Sequence, residues 1–291
     1  MKALTESPYT GRVTAELLAT AGRQLGATGS TSPRLEAELL LASVLGVSRE
    51  AVLTHPERVI DGSAAARFAS LVNRRARAEP LAYLLGQREF YGRVFKVDRR
   101  VLIPRPETEL LVDIGRAAVA SGLSRAVEVG TGSGAVAISL AAEAGCSVVA
   151  TDVSLDALAL ARENARTLGQ VARVHLVQTD LLGGLRGPVE LLLANLPYIP
   201  SGRVLPPDVA DYEPDLALYA GPAGTELLER LLRQARSLLA DHFEVALELD
   251  ECDQAQPMLA LAQVLYPTAR ASIQRDAGGY ERVLLIQQAS G

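Results

Sequence analysis

The sequence predicts an α/β protein in which a small helical domain and a β-hairpin precede a domain built on a seven-stranded, mostly parallel sheet. Three observations support this fold class. Residues 12–85 repeat apolar side chains at helical spacing. From residue 125 onward, short apolar runs alternate with longer amphipathic segments, as in β–α units. One run, residues 189–194, is apolar almost throughout, which is typical of a central strand covered on both faces.

We expect residues 1–85 to form a domain of helices joined by short connections, with a role in recognition. Serines stand where three of these helices begin, and each is expected to act as an N-cap: Ser32, Ser48 and Ser63. Three arginines lie near the end of the last helix, where cations favour the helix dipole: Arg74, Arg75 and Arg77.

Residues 86–104 are predicted to form a β-hairpin that links two domains, because apolar residues alternate there with turn and polar residues. The α/β domain is expected to occupy residues 105–291. Pro106 and the carboxylates after it suit the first turn of a helix over residues 109–119. A corner fixed by proline before a helix can also close a ligand pocket.

The α/β domain is predicted to contain seven strands, at residues 125–130, 147–152, 173–178, 189–194, 243–249, 269–275 and 282–288. The helices among them are expected at residues 134–144, 155–167, 224–239 and 253–265. The last two strands are close in sequence. We therefore expect an antiparallel edge strand on a mostly parallel sheet.

Composition bounds the class of protein. The 291 residues suffice for two domains, and a hydrophobic content of 48% describes a globular protein with an ample core. No apolar run reaches the roughly 18 residues that span a bilayer, and the first residues lack the apolar stretch of a secretory signal. We therefore expect no membrane association, no secretory signal and a cytoplasmic location. Cys146 and Cys252 are isolated, as expected of buried thiols in a reducing compartment. Neither they nor the scattered histidines indicate a metal site.

Charge is distributed unevenly along the chain. Residues 1–105 carry 16 Lys/Arg and 10 Asp/Glu, a net of +6, whereas the remaining residues carry −11. Docking of the first third on an acidic macromolecule or surface would explain this split, and so would an ordinary solvated face.

A glycine-rich loop joins the first strand of the sheet to the following helix: Gly130, Thr131, Gly132, Ser133 and Gly134. Glycines let the backbone approach a ligand closely, and the helix N-terminus favours negative charge. Asp152 ends the next strand, where a carboxylate can bind both hydroxyls of a ribose. Asp180 follows the third strand and could reach an adenine amino group. Together these residues predict a Rossmann-like pocket for an adenosine-containing cofactor.

The loop alone does not choose between two cofactors, because it also satisfies the GxGxxG/A fingerprint of NAD-binding domains. Glu128 favours S-adenosylmethionine, since a carboxylate just before the loop suits the cationic methionine end of that cofactor. A nicotinamide-dependent oxidoreductase is disfavoured because no second domain with an acid–base histidine follows. Methyl transfer to nitrogen needs little acid–base machinery, since alignment of the reacting atoms supplies most of the rate.

The strand at residues 189–194 runs into a polar tetrapeptide at the edge of the sheet where ligands bind: Asn195, Leu196, Pro197 and Tyr198. Asn195 offers an amide oxygen as acceptor. Pro197 keeps Leu196 extended, so the Leu196 carbonyl is a second acceptor. Tyr198 supplies an aromatic face for stacking. Two acceptors aimed at an –NH2 group would orient its nitrogen for methylation, although an ordinary strand exit uses similar turn residues.

With these motifs the sequence resembles the protein-(glutamine-N5) methyltransferases that modify peptide-chain release factors, the PrmC/HemK family. The resemblance covers most of the chain and is carried by four segments: PLAYLLGQREFYGRVFKVDRRVLIPRPETELLVD (Pro80–Asp113), VEVGTGSGAVAISLA (Val127–Ala141), NLPYIP (Asn195–Pro200) and YEPDLALYAGPAGTELLERLL (Tyr212–Leu232). The IPRPETE block and the downstream YEP segment are the most specific parts. Residues 1–79 resemble the family's helical domain in general character.

The resemblance implies a seven-stranded S-adenosylmethionine methyltransferase domain that N5-methylates the glutamine in the Gly-Gly-Gln motif of class I release factors by direct in-line transfer. The expected cofactor-binding residues are Glu128, Gly130, Thr131, Gly132, Ser133, Gly134, Asp152, Asp180 and Asn195. The expected substrate-binding residues are Asn195, Leu196, Pro197 and Tyr198, of which Asn195 and Tyr198 are the catalytic ones. We expect a monomer whose helical domain contacts another part of the release factor, with no direct binding of nucleic acid.

The tetrapeptide departs from the family in one position, because Leu196 stands where the family usually has proline. Asn-Leu-Pro-Tyr also resembles the ribosomal-RNA adenine dimethyltransferases, and both chemistries methylate an –NH2 group on an sp2 carbon. An N6-adenine methyltransferase acting on RNA or DNA is therefore the alternative, and a non-catalytic binding module with this fold is a second one. The IPRPETE block favours the glutamine enzyme.

Overall fold

A computed structural model of the protein describes residues 11–250 and 254–289. The described chain forms two compact units. The first contains the described residues up to Gly86 together with Pro206–Tyr212, and the second contains the rest. The later segment joins the first unit through the Tyr212 hydroxyl, which donates to the carbonyl of Arg77 at 2.8 Å.

The first unit is helical, as predicted. Its helices are α1 (Thr14–Gly26), α2 (Pro33–Leu45), α3 (Arg49–Thr54), α4 (Gly62–Arg75), α5 (Leu81–Leu85) and the short α9 (Pro207–Ala210). Leu17, Phe68 and Val72 are completely buried in their shared core. Burial of each such side chain contributes roughly 1.5–3 kcal/mol, which stabilises helices too short to persist alone.

One of the three predicted serine caps is confirmed. The Ser48 hydroxyl accepts a hydrogen bond from the first turn of α3. The prediction for Ser63 is wrong, because α4 begins earlier, at Gly62, and the Asp61 carboxylate accepts the Ser63 N–H at 2.9 Å. Aspartate adds negative charge at the positive end of the helix dipole. Ser32 stands before α2, but its side chain makes no capping hydrogen bond.

Two of the three clustered arginines form ion pairs within the helical unit. Arg74 binds both oxygens of Glu79 at 2.7 Å, and Arg75 binds both oxygens of Glu36 at 3.0 Å. These bidentate pairs connect α4 with α2, which contains Glu36, and with Glu79 just after α4. The two arginines therefore stabilise the packing of the unit in addition to any interaction with the helix dipole.

The predicted hairpin is confirmed and opens the second unit. Strand β1 (Gln87–Phe90) pairs antiparallel with β2 (Arg93–Lys96). Tyr91 and Gly92 between them have φ values of +50° and +68°, as a type I′ turn requires. The Tyr91 N–H donates to the Glu109 carboxylate at 2.7 Å, which fixes the turn against the helix that follows.

All seven predicted strands of the sheet are confirmed: β3 (Ala126–Val129), β4 (Val148–Asp152), β5 (Val174–Gln178), β6 (Val189–Ala194), β9 (Leu239–Glu248), β10 (Arg270–Arg275) and β11 (Glu281–Gln288). Their order across the sheet is β10-β11-β9-β6-β3-β4-β5. Strands β6, β3, β4 and β5 are mutually parallel, and β9 is parallel to β6. Neighbours β6 and β3 are completely or almost completely buried, as their apolar sequences predict.

The expected antiparallel edge strand is only partly correct. Strand β11 is the antiparallel one, but it lies inside the sheet, between β9 and β10. The edge strand is β10. Because β11 has four consecutive buried apolar residues, Val283 to Ile286, it gains more from a place between two neighbours than the more polar β10 would.

Helices cover both faces of the sheet: α6 (Glu109–Ala120), α7 (Ala135–Ala144), α8 (Leu155–Thr167), α10 (Glu226–Ala235) and α11 (Ala255–Leu265). Helix α10 ends four residues before the prediction, and β9 begins four residues before it. Two short parallel strands, β7 (Ile199–Pro200) and β8 (Tyr219–Gly221), and two 3₁₀ turns, Pro106–Thr108 and Asp215–Ala217, follow no periodicity in the sequence.

Candidate active site

A cleft of about 420 Å³ lies at the carboxyl ends of the central strands. The chain builds the sheet outward from β3 through β4 to β5 and then returns to β6 on the other side of β3, which is the switch point where such sheets bind ligands. The predicted site residues that line the cleft are Glu128, Gly130, Thr131, Gly132, Ser133, Asp152, Asp180, Asn195, Leu196 and Pro197. Gly134 and Tyr198 are not part of its wall.

The glycine loop folds back onto strand β4. The N–H groups of Gly130 and Thr131 both donate to the Thr151 carbonyl, at 2.8 and 2.9 Å. The φ values of +74° at Gly130 and +55° at Gly132 are in the left-handed region that favours glycine. Gly134, at +82°, precedes α7 and ends the loop. Its role in the structure is therefore to start the helix.

Asp152 is held at the end of β4 by backbone groups on both sides. Its two carboxylate oxygens accept the N–H groups of Gly132 and Ser154, each at 2.9 Å. Burial raises the pKa of Asp152, while these two hydrogen bonds lower it. Each oxygen retains lone pairs for a further donor, so the carboxylate can receive the two hydroxyls of a ribose.

Glu128 is the most deeply buried carboxylate on the wall of the cleft, with 3% of the residue exposed. One of its oxygens accepts the Thr131 hydroxyl at 2.6 Å and the Ala137 N–H at 3.0 Å. Burial raises the pKa of Glu128 to about 8, and the nearby charge of Asp152 adds to the increase. No basic side chain of the described chain forms an ion pair with Glu128, so the site is suited to a cationic ligand group.

Asp180 lines the cleft but is engaged in an ion pair. Arg230 of α10 donates to its carboxylate at 2.6 Å, and both side chains are about half exposed. The neighbouring Leu181 has a φ of +53° and is buried, which fixes the direction of the chain after Asp180. A ligand that uses the Asp180 carboxylate must therefore share it with Arg230 or displace that side chain.

The Asn195 side chain has a defined orientation. Its amide nitrogen donates to the Thr108 hydroxyl at 2.9 Å, which leaves the amide oxygen as the group that can receive a ligand hydrogen. No donor within the described residues binds the Asn195 amide oxygen or the Leu196 carbonyl. Two acceptors from adjacent residues thus remain for a ligand beside the glycine loop.

Tyr198, which is not part of the cleft wall, lies against strand β9. Its hydroxyl lies 3.5 Å from a carboxylate oxygen of Glu248 on β9. Burial raises the Tyr198 pKa above its ordinary value, and the charge of Glu248 adds to the increase. The Tyr198 carbonyl accepts the side-chain amide of Gln254 at 2.8 Å. A Cβ added to Gly224 would lie 2.4 Å from the same carbonyl, so only glycine fits there. These contacts hold the end of the tetrapeptide in place.

Sequence reasoning missed four residues that support the tetrapeptide: Thr108, Gly224, Glu248 and Gln254. Thr108 lies in the IPRPETE block and Gly224 in the segment Tyr212–Leu232, two of the segments that carry the family resemblance. These segments marked the two residues as characteristic of the family but did not reveal what they contact. Glu248 and Gln254 have no such signal. A lone carboxylate at the end of an apolar strand could be recognised only once β9 was known to lie beside β6.

The uneven charge has a structural explanation within the second unit. Residues 87–105 carry six Lys/Arg and two Asp/Glu, which is most of the positive excess of the first third. Basic side chains of this segment form ion pairs with acidic residues elsewhere in the unit: Arg93 with Glu143, Lys96 and Arg100 with Glu163, and Arg105 with Glu213. A basic hairpin thus complements an acidic α/β domain.

Comparison with known proteins identifies both parts of the chain. Residues 16–86 match the family model of the PrmC N-terminal domain, and residues 126–190 match that of a methyltransferase domain. The release factor glutamine methyltransferase of Moorella thermoacetica is 41% identical, over 93% of this chain and 96% of that protein. The enzyme of that name from Deinococcus radiodurans is 38% identical, over 95% and 99%. The chain belongs to the release factor glutamine methyltransferase family.

Among solved structures, the catalytic domain of hMettl16 in complex with a MAT2A 3′UTR hairpin aligns with a TM-score of 0.57 over 80% of this chain and 84% of that one. At 15% identity this likeness shows the fold alone. Membership of the family makes the chain an enzyme that uses S-adenosylmethionine as methyl donor. The cleft fits this cofactor, because Glu128 is a buried carboxylate without a cation and Asp152 has free lone pairs.

The remaining expectations from the sequence concern membrane-spanning helices, metal sites and the two cysteines. Within residues 11–250 and 254–289, no helix is both long and apolar enough to cross a membrane. The same residues contain no group of three or more side chains arranged to hold a metal ion. Cys146 is half-buried and unpaired, so it is more accessible than predicted. Cys252 lies outside the described residues.

Proposed function

We propose that this chain methylates the side-chain amide nitrogen of the glutamine in the Gly-Gly-Gln motif of class I peptide-chain release factors. One observation carries the proposal. The Asn195 amide oxygen and the Leu196 carbonyl are two acceptors without a described donor, on the wall of the cleft that also holds Glu128 and Asp152. A primary amide has two N–H bonds, which is the number that this pair of acceptors can receive.

The proposed reaction is a direct in-line transfer. The cofactor supplies a methyl group on a positively charged sulfur atom. As the amide nitrogen bonds to the methyl carbon, the carbon–sulfur bond breaks and its electron pair stays with sulfur. Positive charge develops on the nitrogen, and its two N–H bonds become more acidic. Asn195 and the Leu196 carbonyl therefore bind the transition state more strongly than the ground state. One proton then leaves the nitrogen to solvent, and the product is the N-methyl amide.

The cofactor would be held by the residues at the ends of β3, β4 and β5. Glu128 would receive the ammonium group of its methionine end, and Asp152 the ribose hydroxyls. Residues 130–133 would provide the close backbone surface, with Gly134 starting the helix behind it. Asp180 would bind the adenine amino group.

We further infer that residues 1–85 recognise the release factor, residues 86–104 act as the linker, and residues 105–291 perform the chemistry. We infer that the enzyme works as a monomer in the cytoplasm and binds no nucleic acid directly. The ion pairs that engage the basic hairpin support the last point, since those side chains are already neutralised. An N6-adenine methyltransferase would need a basic, aromatic-lined groove.

The test is a transfer assay with methyl-labelled S-adenosylmethionine and three acceptors: a class I release factor, the same factor with its Gly-Gly-Gln glutamine replaced, and total RNA. We expect label on the intact factor alone, and its loss in the Asn195→Ala enzyme. Label on RNA with an unmodified factor would overturn the proposal in favour of the adenine alternative. Gln178→Ala, an exposed change on β5, serves as the control variant.

A further inference from the structure

Arg105 is a cation on the wall of the cleft that the proposed reaction does not use. Its side chain is 31% exposed, so a ligand in the cleft can reach it. The Nη2 group donates to a carboxylate oxygen of Glu213 at 2.7 Å. No other acceptor within residues 11–250 and 254–289 binds this guanidinium. Because the Arg105 side chain has several N–H donors on three nitrogens, most of them remain for a ligand.

Glu213 holds the Arg105 side chain in place. The Glu213 side chain is only 2% exposed, and its second carboxylate oxygen accepts the Ile103 N–H at 3.1 Å. One buried carboxylate thus binds two groups of the same short segment. Since Arg105 is already fixed before a ligand arrives, it loses little conformational freedom on binding.

The turn that contains Arg105 lies at the end of β6. The Arg105 carbonyl accepts the Thr108 N–H at 3.1 Å, and the Thr108 hydroxyl accepts the Asn195 amide N–H at 2.9 Å. Asn195 directly follows β6, whose last residue is paired with Val129 of β3. The turn is therefore anchored where β6 and β3 end side by side, and Glu128 lies one residue before the end of β3.

The methionine end of S-adenosylmethionine carries an ammonium group and a carboxylate on the same carbon atom. With the ammonium at Glu128, the ribose at Asp152 and the adenine at Asp180, the cofactor extends from β3 across β4 to β5. Its methionine end then lies on the side of the cleft that faces β6. A carboxylate shielded from water there needs a cation or hydrogen-bond donors.

The cations that line the cleft within the described chain are all arginines: Arg100, Arg105 and Arg230. Arg100 has no nitrogen to spare, because all three donate to the carboxylates of Asp98 and Glu163. Arg230 pairs with Asp180, at the adenine end of the cleft. Arg105 is thus the cation whose position and open donors both fit a carboxylate beside the ammonium site.

We propose that Arg105, held by Glu213, binds the carboxylate of the methionine end of S-adenosylmethionine. The guanidinium fork matches the two oxygens of a carboxylate, and both hydrogen bonds are charge-assisted. The inference rests on the proposed placement of the ammonium group at Glu128, but it is independent of the substrate that is methylated. Recognition of both charges lets the enzyme discriminate against adenosine compounds that lack one of them.

Decarboxylated S-adenosylmethionine isolates this contact, since it keeps the ammonium and the sulfonium but lacks the carboxylate. We expect the parent protein to bind it on the order of 10- to 100-fold more weakly than S-adenosylmethionine, in calorimetric titrations without substrate. In Arg105→Met the Kd for S-adenosylmethionine should rise by a similar factor, whereas the Kd for the decarboxylated compound should change by less than about threefold. The discrimination between the two ligands should therefore largely disappear.

Two further variants separate ligand binding from folding. Arg105→Lys keeps a positive charge beside Glu213 but lacks the fork, so it should fold and lose only part of the discrimination. Arg275→Met makes the same chemical change at the end of β10, where the arginine pairs with Glu281 outside the cleft, and should leave both Kd values unchanged. Equal weakening of both ligands in Arg105→Met and Arg105→Lys would overturn the proposal, because Arg105 would then only hold the turn to Glu213. Equal binding of the two ligands by the parent protein would overturn it as well.

The binding measurements also distinguish this proposal from the proposed function. If the parent enzyme methylates no release factor but Arg105→Met abolishes the discrimination, only the function is refuted. If Glu128→Gln keeps the parent affinity for S-adenosylmethionine and Arg105→Met abolishes the discrimination, only the placement of the ammonium group is refuted. If the release factor is methylated but Arg105→Met still discriminates as the parent does, the carboxylate site is refuted.

Discussion

Leu196 packs directly on Gly130, so the substrate tetrapeptide and the cofactor loop share one close contact. A Cβ added to Gly130 would lie 2.8 Å from a terminal methyl of Leu196 and 3.5 Å from the Asn195 carbonyl oxygen. Leu196 itself is 5% exposed. The residue that departs from the usual family motif thus fills the space above the loop.

This contact predicts that Gly130→Ala will weaken cofactor binding and activity. The new methyl group must displace Leu196, and the φ of +74° at this position strains any side chain by about 1–2 kcal/mol. We expect at least a tenfold increase in the Kd for S-adenosylmethionine, measured by calorimetry.

The double variant Gly130→Ala with Leu196→Ala separates the two causes. It removes the clash but not the backbone strain, so it should bind the cofactor more tightly than Gly130→Ala alone. Gly132→Ala is the matched control, since a Cβ there meets nothing within 4 Å although φ is +55°. Equal losses in the two glycine variants would show that the Leu196 contact has no effect.

The second prediction concerns pH and Glu128. Its pKa is raised from 4.5 to about 8 in the folded protein, mainly by burial. The folded state therefore binds this proton more tightly than the unfolded state does. The contribution of Glu128 to stability is present below about pH 4.5 and is lost as the pH rises through 8.

Glu128→Gln should remove this dependence. We expect its melting temperature, relative to that of the parent protein, to rise by a few degrees between pH 5 and pH 8.5, measured by calorimetry without cofactor. At the same time its affinity for S-adenosylmethionine should fall, because the ammonium group loses its counter-charge. A difference in melting temperature that is the same at both pH values would contradict the assignment.

Features with a local sequence pattern could be predicted from the sequence alone. Strand β6 was predicted because a buried parallel strand is apolar throughout, and the cofactor loop because a tight turn close to a ligand requires glycine. Glu128 and Asp152 were predicted from their places in the sequence, just before the loop and at the end of the next strand. The predicted bounds of helix α8, residues 155–167, agree with the structure to the residue, and Ser154 caps the helix there.

The contacts that depend on distant segments could not be read in this way. Strand β11 enters the sheet between β9 and β10, and Pro206–Tyr212 joins the helical unit, although neither has a local signature. Thr108 reaches Asn195 across 87 residues of sequence. Such pairings depend on how whole elements pack together, and a polar side chain gives no periodicity that reveals its partner.

The third prediction is that Asn164 ties the hairpin to the cofactor loop. Its buried side chain donates to the carbonyls of Ser133 and Lys96, at 2.9 and 3.0 Å, and accepts the Lys96 N–H at 2.8 Å. Asn164→Ala leaves these backbone groups without partners. We expect a loss of about 2–4 kcal/mol in the free energy of unfolding, measured in urea.

Hydrogen exchange adds a local test of the same substitution. The Lys96 amide should exchange faster in Asn164→Ala, and cofactor affinity should fall because the Ser133 carbonyl is no longer held. Gln178→Ala, which removes one exposed hydrogen bond to the Val153 carbonyl, should change stability by less than about 0.5 kcal/mol. Unaltered exchange at Lys96 would show that the hairpin is fixed by other contacts.

The fourth prediction concerns the ion pair between Asp180 and Arg230. Both side chains are exposed, at 61% and 48%, so their pairing is worth under about 1 kcal/mol. If Asp180 binds the adenine amino group, Arg230 competes with the cofactor for the same carboxylate. Arg230→Ala should then bind S-adenosylmethionine up to several-fold more tightly, and Asp180→Asn should bind it about tenfold more weakly, with little change in stability for either.

Because screening by salt weakens the ion pair, the affinity of the parent protein should approach that of Arg230→Ala at high ionic strength. Calorimetric titration in 0.05 and 0.5 M salt would measure this, and weaker binding by Arg230→Ala would instead make Arg230 a ligand of the cofactor.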